Sequence, residues 1–151
     1  MTITGSSGAL SHVAAISYTI QDFAIVANPA SVTAQAGVSA SSTISVNAQN
    51  GYTGNVALTD NVSPSTGLSC SLAPTALSLG NSGSSILSCT GTTGTYTVTV
   101  TGTSASIPHS SIVTFIVQDF SLTIPSPATI TVNAGTTGTS TLSVNPINGF
   151  A

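Results

Sequence analysis

Few side chains of this chain could take part in chemistry, because charged residues are almost absent. The 151 residues contain no Lys or Arg, and the three acidic residues are all aspartates: Asp22, Asp60 and Asp119. The two histidines, His12 and His109, are solitary, and we expect them at solvent-facing loops or strand ends. No recurring Ser, His and Asp spacing indicates a nucleophile with its base. The sequence therefore predicts no catalytic residue, no cofactor and a protein that is not an enzyme.

The two cysteines, Cys70 and Cys89, lie 19 residues apart in segments that alternate apolar and hydroxyl residues. The pair fits neither a metal site nor a redox motif, since there is no Cys-x-x-Cys and no His close in sequence. A disulfide between neighbouring strands, formed in an oxidising compartment, is the better interpretation. In the chain-entropy model, closing a loop of this size stabilises the fold by roughly 3 kcal/mol.

One sequon for N-linked glycosylation is present, at Asn61-Val62-Ser63. Asp60 before it and Pro64 after it predict an exposed turn, where a glycan could be attached. The alternative is a sequon that stays unused, which the adjacent proline favours. O-linked sugar could also be carried by the Thr-rich faces, although no motif defines where.

The composition excludes several classes of partner. Charged residues make up 2% of the chain, against roughly 25% in an ordinary domain. Without a cationic footprint the chain cannot bind nucleic acid or attach to a membrane through basic residues. No apolar run approaches the ~20 residues of a membrane span, so we expect no membrane insertion. With so few ionisable groups, stability should be nearly flat from strongly acidic to neutral pH.

An internal repeat is the main signal in the sequence. Residues 17–23 (SYTIQDF) match residues 114–120 (TFIVQDF) at an offset of 97, and residues 39–47 match residues 137–145 at an offset of 98. One residue is therefore inserted near Pro125. A period of about 97 residues is the size of one immunoglobulin-like sandwich domain.

This period divides the chain into three parts. Residues 1–20 are predicted to be the C-terminal strands of a preceding repeat, residues 21–117 a complete repeat, and residues 118–151 the N-terminal strands of a following one. Neither flanking part could bury its apolar face alone, because two or three strands form no closed core. We expect a longer parent chain, with strand donation between subunits as the alternative.

The expected fold is all-β, because apolar and hydroxyl residues alternate nearly everywhere. In residues 95–101 (TYTVTVT), Tyr96, Val98 and Val100 face one side and the threonines face the other. Seven or eight short strands with turn residues between them are typical of an antiparallel β-sandwich, with a barrel as the alternative. Tyr96 is either a tyrosine corner or one more core aromatic residue.

The repeat junctions share the motif Gln-Asp-Phe, at Gln21, Asp22 and Phe23 and again at Gln118, Asp119 and Phe120. A calcium clamp would need 6–8 oxygen ligands and usually several carboxylates, whereas each junction offers one. The aspartate is better interpreted as a residue that accepts backbone hydrogen bonds, and no metal site is predicted. The linker is short, because the strand ending at Val117 runs almost directly into the one beginning at Phe120, which predicts rigid neighbours.

The chain resembles the Ser/Thr-rich immunoglobulin-like repeats of large archaeal and bacterial surface proteins. The resemblance is carried by residues 67–74 (GLSCSLAP), 85–90 (SILSCT) and 94–102 (GTYTVTVTG), and through the repeat it extends over the whole chain. It implies an extracellular or cell-surface protein that serves as a stalk, an adhesin spacer, a surface-layer component or a filament subunit.

Three functions remain open at the level of the sequence. The first is a structural repeat of an extracellular filament, thread or surface layer, which assembles with copies of itself or neighbouring repeats. It is favoured because sheet edges are normally guarded by charge, especially Lys, and this chain has none. The second is a stalk of a surface adhesin. The third is a glycan-binding or protein-binding module, although such a site usually has an aromatic cluster and Trp is absent.

Overall fold

Strands form nearly all of the regular structure in the computed structural model, which describes residues 1–124 and 128–151. The insertion expected near Pro125 lies outside the described residues. The all-β prediction is confirmed, and the described part contains no helix that could span a membrane. The strands are β1 (Thr2–Ser7), β2 (Leu10–Ala15), β3 (Asp22–Asn28), β4 (Ser31–Gln35), β5 (Ala40–Gln49), β6 (Gly54–Ser63), β7 (Leu68–Ala73), β8 (Ala76–Leu79), β9 (Ser82–Gly91), β10 (Gly94–Ser104), β11 (Ile107–Thr123) and β12 (Ser143–Ile147).

Two sheets pack face to face to form a sandwich. One has the strand order β3-β5-β9-β7, and the other runs β11-β10-β6-β8, with β4 added parallel to β11 and β12 added antiparallel to its far end. β1 and β2 form a separate hairpin. The two sheets keep their own edges, so the structure is a sandwich and not the alternative barrel. All buried apolar residues of the described chain belong to this sandwich.

Alternation along β10 shows why these sequences form this core. Tyr96, Val98 and Val100 are buried, whereas Thr95 and Thr97 between them are exposed. Side chains of a strand point to opposite faces in turn, so one face of β10 enters the core and the other meets solvent. The predicted orientation of this segment is confirmed.

At Pro29 and at Pro74 the chain passes from the sheet that contains β3 to the opposite one. Pro29 separates β3 from β4, and Pro74 separates β7 from β8, and in each case the second strand joins the opposite sheet. The buried hydroxyl of Ser42 donates a hydrogen bond to the carbonyl of Pro29 at 2.7 Å, and that of Ser85 does the same for Pro74 at 2.7 Å. These bonds satisfy carbonyl groups at the points where the sheet ladders are interrupted.

Tyr96 forms a tyrosine corner, which is the first of the two alternatives that the sequence allowed. Its hydroxyl donates a hydrogen bond to the backbone carbonyl of Thr92 at 2.9 Å, four residues upstream, as in immunoglobulin-like domains. Gly67 leaves room for this hydroxyl, since a Cβ atom there would collide with it and the backbone φ is +96°. A side chain at position 67 would therefore disturb both the turn and the corner.

Candidate functional site

The predicted junction between repeats lies within a single long strand. β11 pairs with β10 as far as Val117 and with β12 from Asp119 onward, so Gln118 lies inside the strand. The expectation of one strand ending at Val117 and another beginning at Phe120 is therefore wrong in detail. The strand continues because β10 and β12 supply hydrogen-bonding partners on either side of Gln118.

The junction aspartates accept backbone hydrogen bonds, as the sequence suggested. Asp22 Oδ1 accepts the amide of Phe23 at 2.8 Å, and Asp119 Oδ1 accepts the amide of Phe120 at 2.8 Å. Within residues 1–124 and 128–151, no group of three or more His, Cys, Asp or Glu side chains could hold a metal ion. Each aspartate thus fixes its local backbone at the start of a Phe-containing strand segment.

His109 is not solitary, contrary to expectation. Its Nε2 atom lies 2.8 Å from Asp22 Oδ1, and its ring packs edge-on against Phe23 with the centroids 4.8 Å apart. Both partners are about one-third exposed. The hydrogen bond from the Phe23 amide, followed by that from the His109 ring, holds the pKa of the Asp22 carboxyl below its ordinary value. His12, in β2, remains exposed.

Asparagine side chains fasten the turns that follow each junction, a role that the sequence did not indicate. The Nδ2 group of Asn148 donates to the carbonyls of Gly94 and Val117, both at 2.9 Å. Asn50 likewise donates to the carbonyl of Ile20 at 2.7 Å. Both asparagines have a left-handed backbone, with φ of 56° and 53° respectively. Each asparagine is followed by glycine in the sequence, a pair that by itself indicates only a turn.

The phenylalanines of the two motifs make matching aromatic contacts, and Gln21 adds a hydrogen bond at the first of them. Gln21 donates from Nε2 to the carbonyl of Gly51 at 2.9 Å. Phe23 packs against Tyr52 with ring centroids 5.6 Å apart, and Phe120 packs against Phe150 with centroids 5.1 Å apart. An aromatic pair therefore closes the turn after each Gln-Asp-Phe motif.

Strand pairs at matching positions of the repeat also have the same backbone register. Gly5 faces His12 in the β1–β2 hairpin, as Gly102 faces His109 between β10 and β11. Asp119 faces Ile147 between β11 and β12, which matches Asp22 facing Gln49 between β3 and β5. Sequence positions at offsets of 97 and 98 thus have matching local geometry.

Cys70 and Cys89 lie directly opposite each other on β7 and β9, and their sulfur atoms are joined in a disulfide. Cys89 is buried and Cys70 is partly buried against the core. The bridge links neighbouring strands, the arrangement expected from the spacing. It ties an edge strand, β7, to the interior of its sheet.

Asn61 is exposed, but it does not lie in a turn. It is part of β6 and faces Thr99 of β10. The predicted turn begins only after Ser63, because β10 is long enough to pair with β6 as far as that residue. The side chain therefore projects from the solvent-facing surface of a sheet.

An open concavity of about 490 Å³ lies beside the junction. Its lining includes the carboxylate of Asp119, together with Thr92, Thr93, Gly37 and Gly91. None of the lining residues is aromatic, so this concavity offers no surface for stacking a sugar ring.

No family model matches the chain, and no curated protein matches it. Among solved structures, domains 4 and 5 of the S-layer protein SbsC are similar with a TM-score of 0.51 and 12% identity, covering 72% of this chain and 59% of that one. A larger SbsC structure gives a TM-score of 0.47 and 13% identity, covering 99% and 26%. A family 123 glycoside hydrolase from Clostridium perfringens gives 0.46 and 11%, covering 67% and 27%.

The chain thus spans about 59% of the length of the two-domain SbsC structure. At 12% identity, this likeness shows a shared fold. The strand orders of the two sheets and the tyrosine corner are those of an immunoglobulin-like β-sandwich.

Proposed function

We propose that this chain is a structural segment of an extracellular surface-layer or filament protein, built from tandem immunoglobulin-like repeats of about 97 residues. The observation that carries this proposal is the asparagine contact at each junction. Asn50 bonds to the carbonyl of Ile20, and Asn148 bonds to the carbonyl of Val117. The same side chain thus fastens the end of one unit to the beginning of the next at both places.

The continuity of β11 supports a load-bearing role. A strand that passes from one unit into the next without a break leaves no flexible linker between them. Adjacent units are then held at a fixed angle by backbone pairing, by the asparagine contact and by the Phe120–Phe150 pair. A rigid series of domains suits a thread, a stalk or a lattice better than a catalytic site.

The likeness to SbsC supports the choice of a surface layer among these structural functions, since SbsC is named as an S-layer protein. A location at the cell surface also agrees with the Cys70–Cys89 disulfide, because such bonds persist in oxidising compartments. The proposal includes an N-linked glycan at Asn61, whose exposed position on β6 would accept one.

Electron microscopy of the native protein tests the proposal. We expect sheets or long fibres with a regular axial repeat, and gold-labelled antibody bound to intact cells. Isolated rods of constant length would support a stalk instead. Labelling that appears only after the cells are permeabilised would overturn the surface assignment.

A further inference from the structure

The second half of β6 is an open edge of its sheet. On one side β6 pairs with β10 over residues 57–63, whereas on the other side β8 covers only residues 54–57. The amide of Leu58 still has a partner there, because it donates to the carbonyl of Thr75 at 2.8 Å. In the described part of the chain, no strand pairs with that side of residues 59–63.

Backbone groups of Asp60 and Val62 point to this open side. In an antiparallel ladder, alternate residues direct their N–H and C=O groups to opposite sides of the strand. The Leu58 amide points away from β10, so the amides of Asp60 and Val62 do so as well. Such an edge can accept a strand of another chain through main-chain hydrogen bonds.

The Asp60 side chain lies on the core-facing side of this open segment. It shares a strand face with the buried Val56 and Leu58, and it lies opposite Val100, which is completely buried. Asp60 itself remains partly exposed at the edge. Inward-pointing charges on edge strands are one of the means by which proteins prevent pairing between sheet edges.

No contact within the fold accounts for an aspartate at this position. Asp22 and Asp119 each accept a backbone amide, whereas Asp60 has no side-chain hydrogen bond or ion pair within residues 1–124 and 128–151. A strand added to the edge would cover the Asp60 carboxylate and remove its water, which costs free energy unless a cation pairs with it. A second copy of this chain has no Lys or Arg to supply that cation. The charge therefore opposes pairing between copies of this chain.

The glycosylation sequon begins at the next residue of the same segment. Asn61 is exposed on the outer face of the sheet, opposite Thr99 of β10. A glycan is bulky and solubilising, so one attached here would obstruct the edge from the face opposite to Asp60. Asp60 and Asn61 thus lie on the two faces of one open strand segment.

We propose that the Asp60 carboxylate and a glycan on Asn61 keep residues 59–63 from pairing with a second copy of the chain. The role of the glycan rests on the proposed function, which includes that modification. β8 and β4 also form edges of this sheet, but they are only 4 and 5 residues long, and very short edge strands are themselves a protection. Assembly of a surface layer or filament then uses surfaces other than this edge of β6.

Removal of one charge tests the role of Asp60. Asp60→Asn changes the charge with little change in shape, and Asp119→Asn removes the same charge away from the edge. Sedimentation of the unglycosylated chain at neutral pH measures self-association, and melting confirms that both variants are folded. We expect Asp60→Asn to associate about tenfold more strongly than the unmodified chain, because no carboxylate is then buried, and Asp119→Asn to match the unmodified chain. Equal association of all three would overturn the inference.

Amide hydrogen exchange locates the contact. The outward-pointing amides of residues 60 and 62 should exchange rapidly in the unmodified chain, because no strand covers them. They should exchange several-fold more slowly in associated Asp60→Asn protein. Protection that arises only at other strands would show that the variant associates elsewhere, and this result also would overturn the inference.

Substitutions at Ser63 test the glycan without changing Asn61. Ser63→Ala removes the sequon, whereas Ser63→Thr retains it, and the side chain at this position is exposed. Both variants are produced in the native host, and mass spectrometry measures the glycan. We expect Ser63→Ala to lack the glycan and to associate several-fold more strongly than Ser63→Thr. Equal association, or a native protein without a glycan on Asn61, would overturn the role of the glycan.

The two proposals can fail separately. If native fibres or sheets form at the cell surface but Asp60→Asn does not associate through this edge, the proposed function stands and the protection of the edge is wrong. If Asp60→Asn associates through this edge but the protein is absent from the cell surface, the protection stands and the proposed function is wrong.

Discussion

β5 and β12 share the sequence Ser-Val-Asn, at residues 45–47 and 143–145, but have very different surroundings. Ile44 and Val46 of β5 are completely buried, whereas Leu142 and Val144, at the matching positions in and before β12, are exposed. Both strands pair with a Gln-Asp-Phe strand in the same register. The difference is the second sheet, which covers β5 and is not present over β12 in the described chain. Strand formation here depends on local pattern, whereas burial depends on a distant partner.

The largest difference in stability is expected between truncation of a buried aromatic residue and truncation of its exposed counterpart. Phe115→Ala removes a buried ring and should lower the free energy of unfolding by about 3–5 kcal/mol. Tyr18→Ala, at the matching exposed position, should change it by less than about 0.5 kcal/mol. Urea denaturation at a concentration where the chain is monomeric measures both. Similar losses in the two variants would mean that the N-terminal part is buried in solution.

Removing the disulfide should destabilise the sandwich of residues 21–117 and have no direct effect on the two flanking parts. We expect the double variant Cys70→Ala, Cys89→Ala to lose about 3 kcal/mol, chiefly because its unfolded state gains freedom. Cys89 is also buried, so part of the loss comes from its packing. Melting of the oxidised protein, the reduced protein and the variant measures the effect. If reduction leaves the melting temperature unchanged, the Cys70–Cys89 disulfide is not formed in the native protein.

An intermediate loss of stability is expected when the serine hydroxyl that bonds to Pro29 is removed. Ser42→Ala removes the buried hydroxyl that donates to the carbonyl of Pro29 and should cost about 1 kcal/mol. Ser140→Ala, at the matching exposed position, is the control and should be nearly neutral. Equal effects would show that the serine contributes to strand formation and not through its hydrogen bond to Pro29.

Patterns that are local in sequence could be predicted from it, and contacts between distant segments could not. Alternation in residues 95–101 correctly indicated which side of β10 enters the core. The cysteine spacing correctly suggested neighbouring strands. The contact of His109 with Asp22 joins residues 87 apart in sequence, and no local signal marks it.

The two errors of detail, at the junction and at Asn61, have one physical origin. A break between strands was expected at Gln118 and Asp119 in the first case, and a turn between Asp60 and Pro64 in the second. The neighbouring strand continues alongside both segments and keeps their backbones paired. Strand length is set by the partner as well as by the residues of the strand itself.

The asparagine contact should control the junction while leaving the sandwich unchanged. Asn148→Gly keeps the left-handed turn but removes the donor to Gly94 and Val117. We expect limited proteolysis within residues 118–151 to be several-fold faster, with a shift in melting temperature of only a few degrees. Asn148→Asp should loosen the junction further, because a carboxylate would face two carbonyl oxygens. Unchanged proteolysis in both variants would show that strand pairing alone holds the segment.

The smallest effect is expected from the one junction aspartate that contacts a histidine. The pKa of Asp22 is lowered in the folded protein by the Phe23 amide and then by His109. The folded state therefore binds this proton less readily than the unfolded state does. Its contribution to stability is present above the ordinary carboxyl pKa of about 3.9 and is lost as the pH falls through the lower, folded value.

The melting temperature should consequently be flat from pH 7 to about pH 4.5 and decline only below about pH 4. Asp22→Asn should remove part of that decline, since an amide oxygen can still accept the Phe23 amide but does not titrate. Asp119→Asn is the matched control, because it has the same backbone bond and should retain the decline due to Asp22. A wild-type profile that stays flat to pH 2 would contradict this coupling and restore the simpler expectation from composition, that three carboxylates are too few to make stability depend on pH.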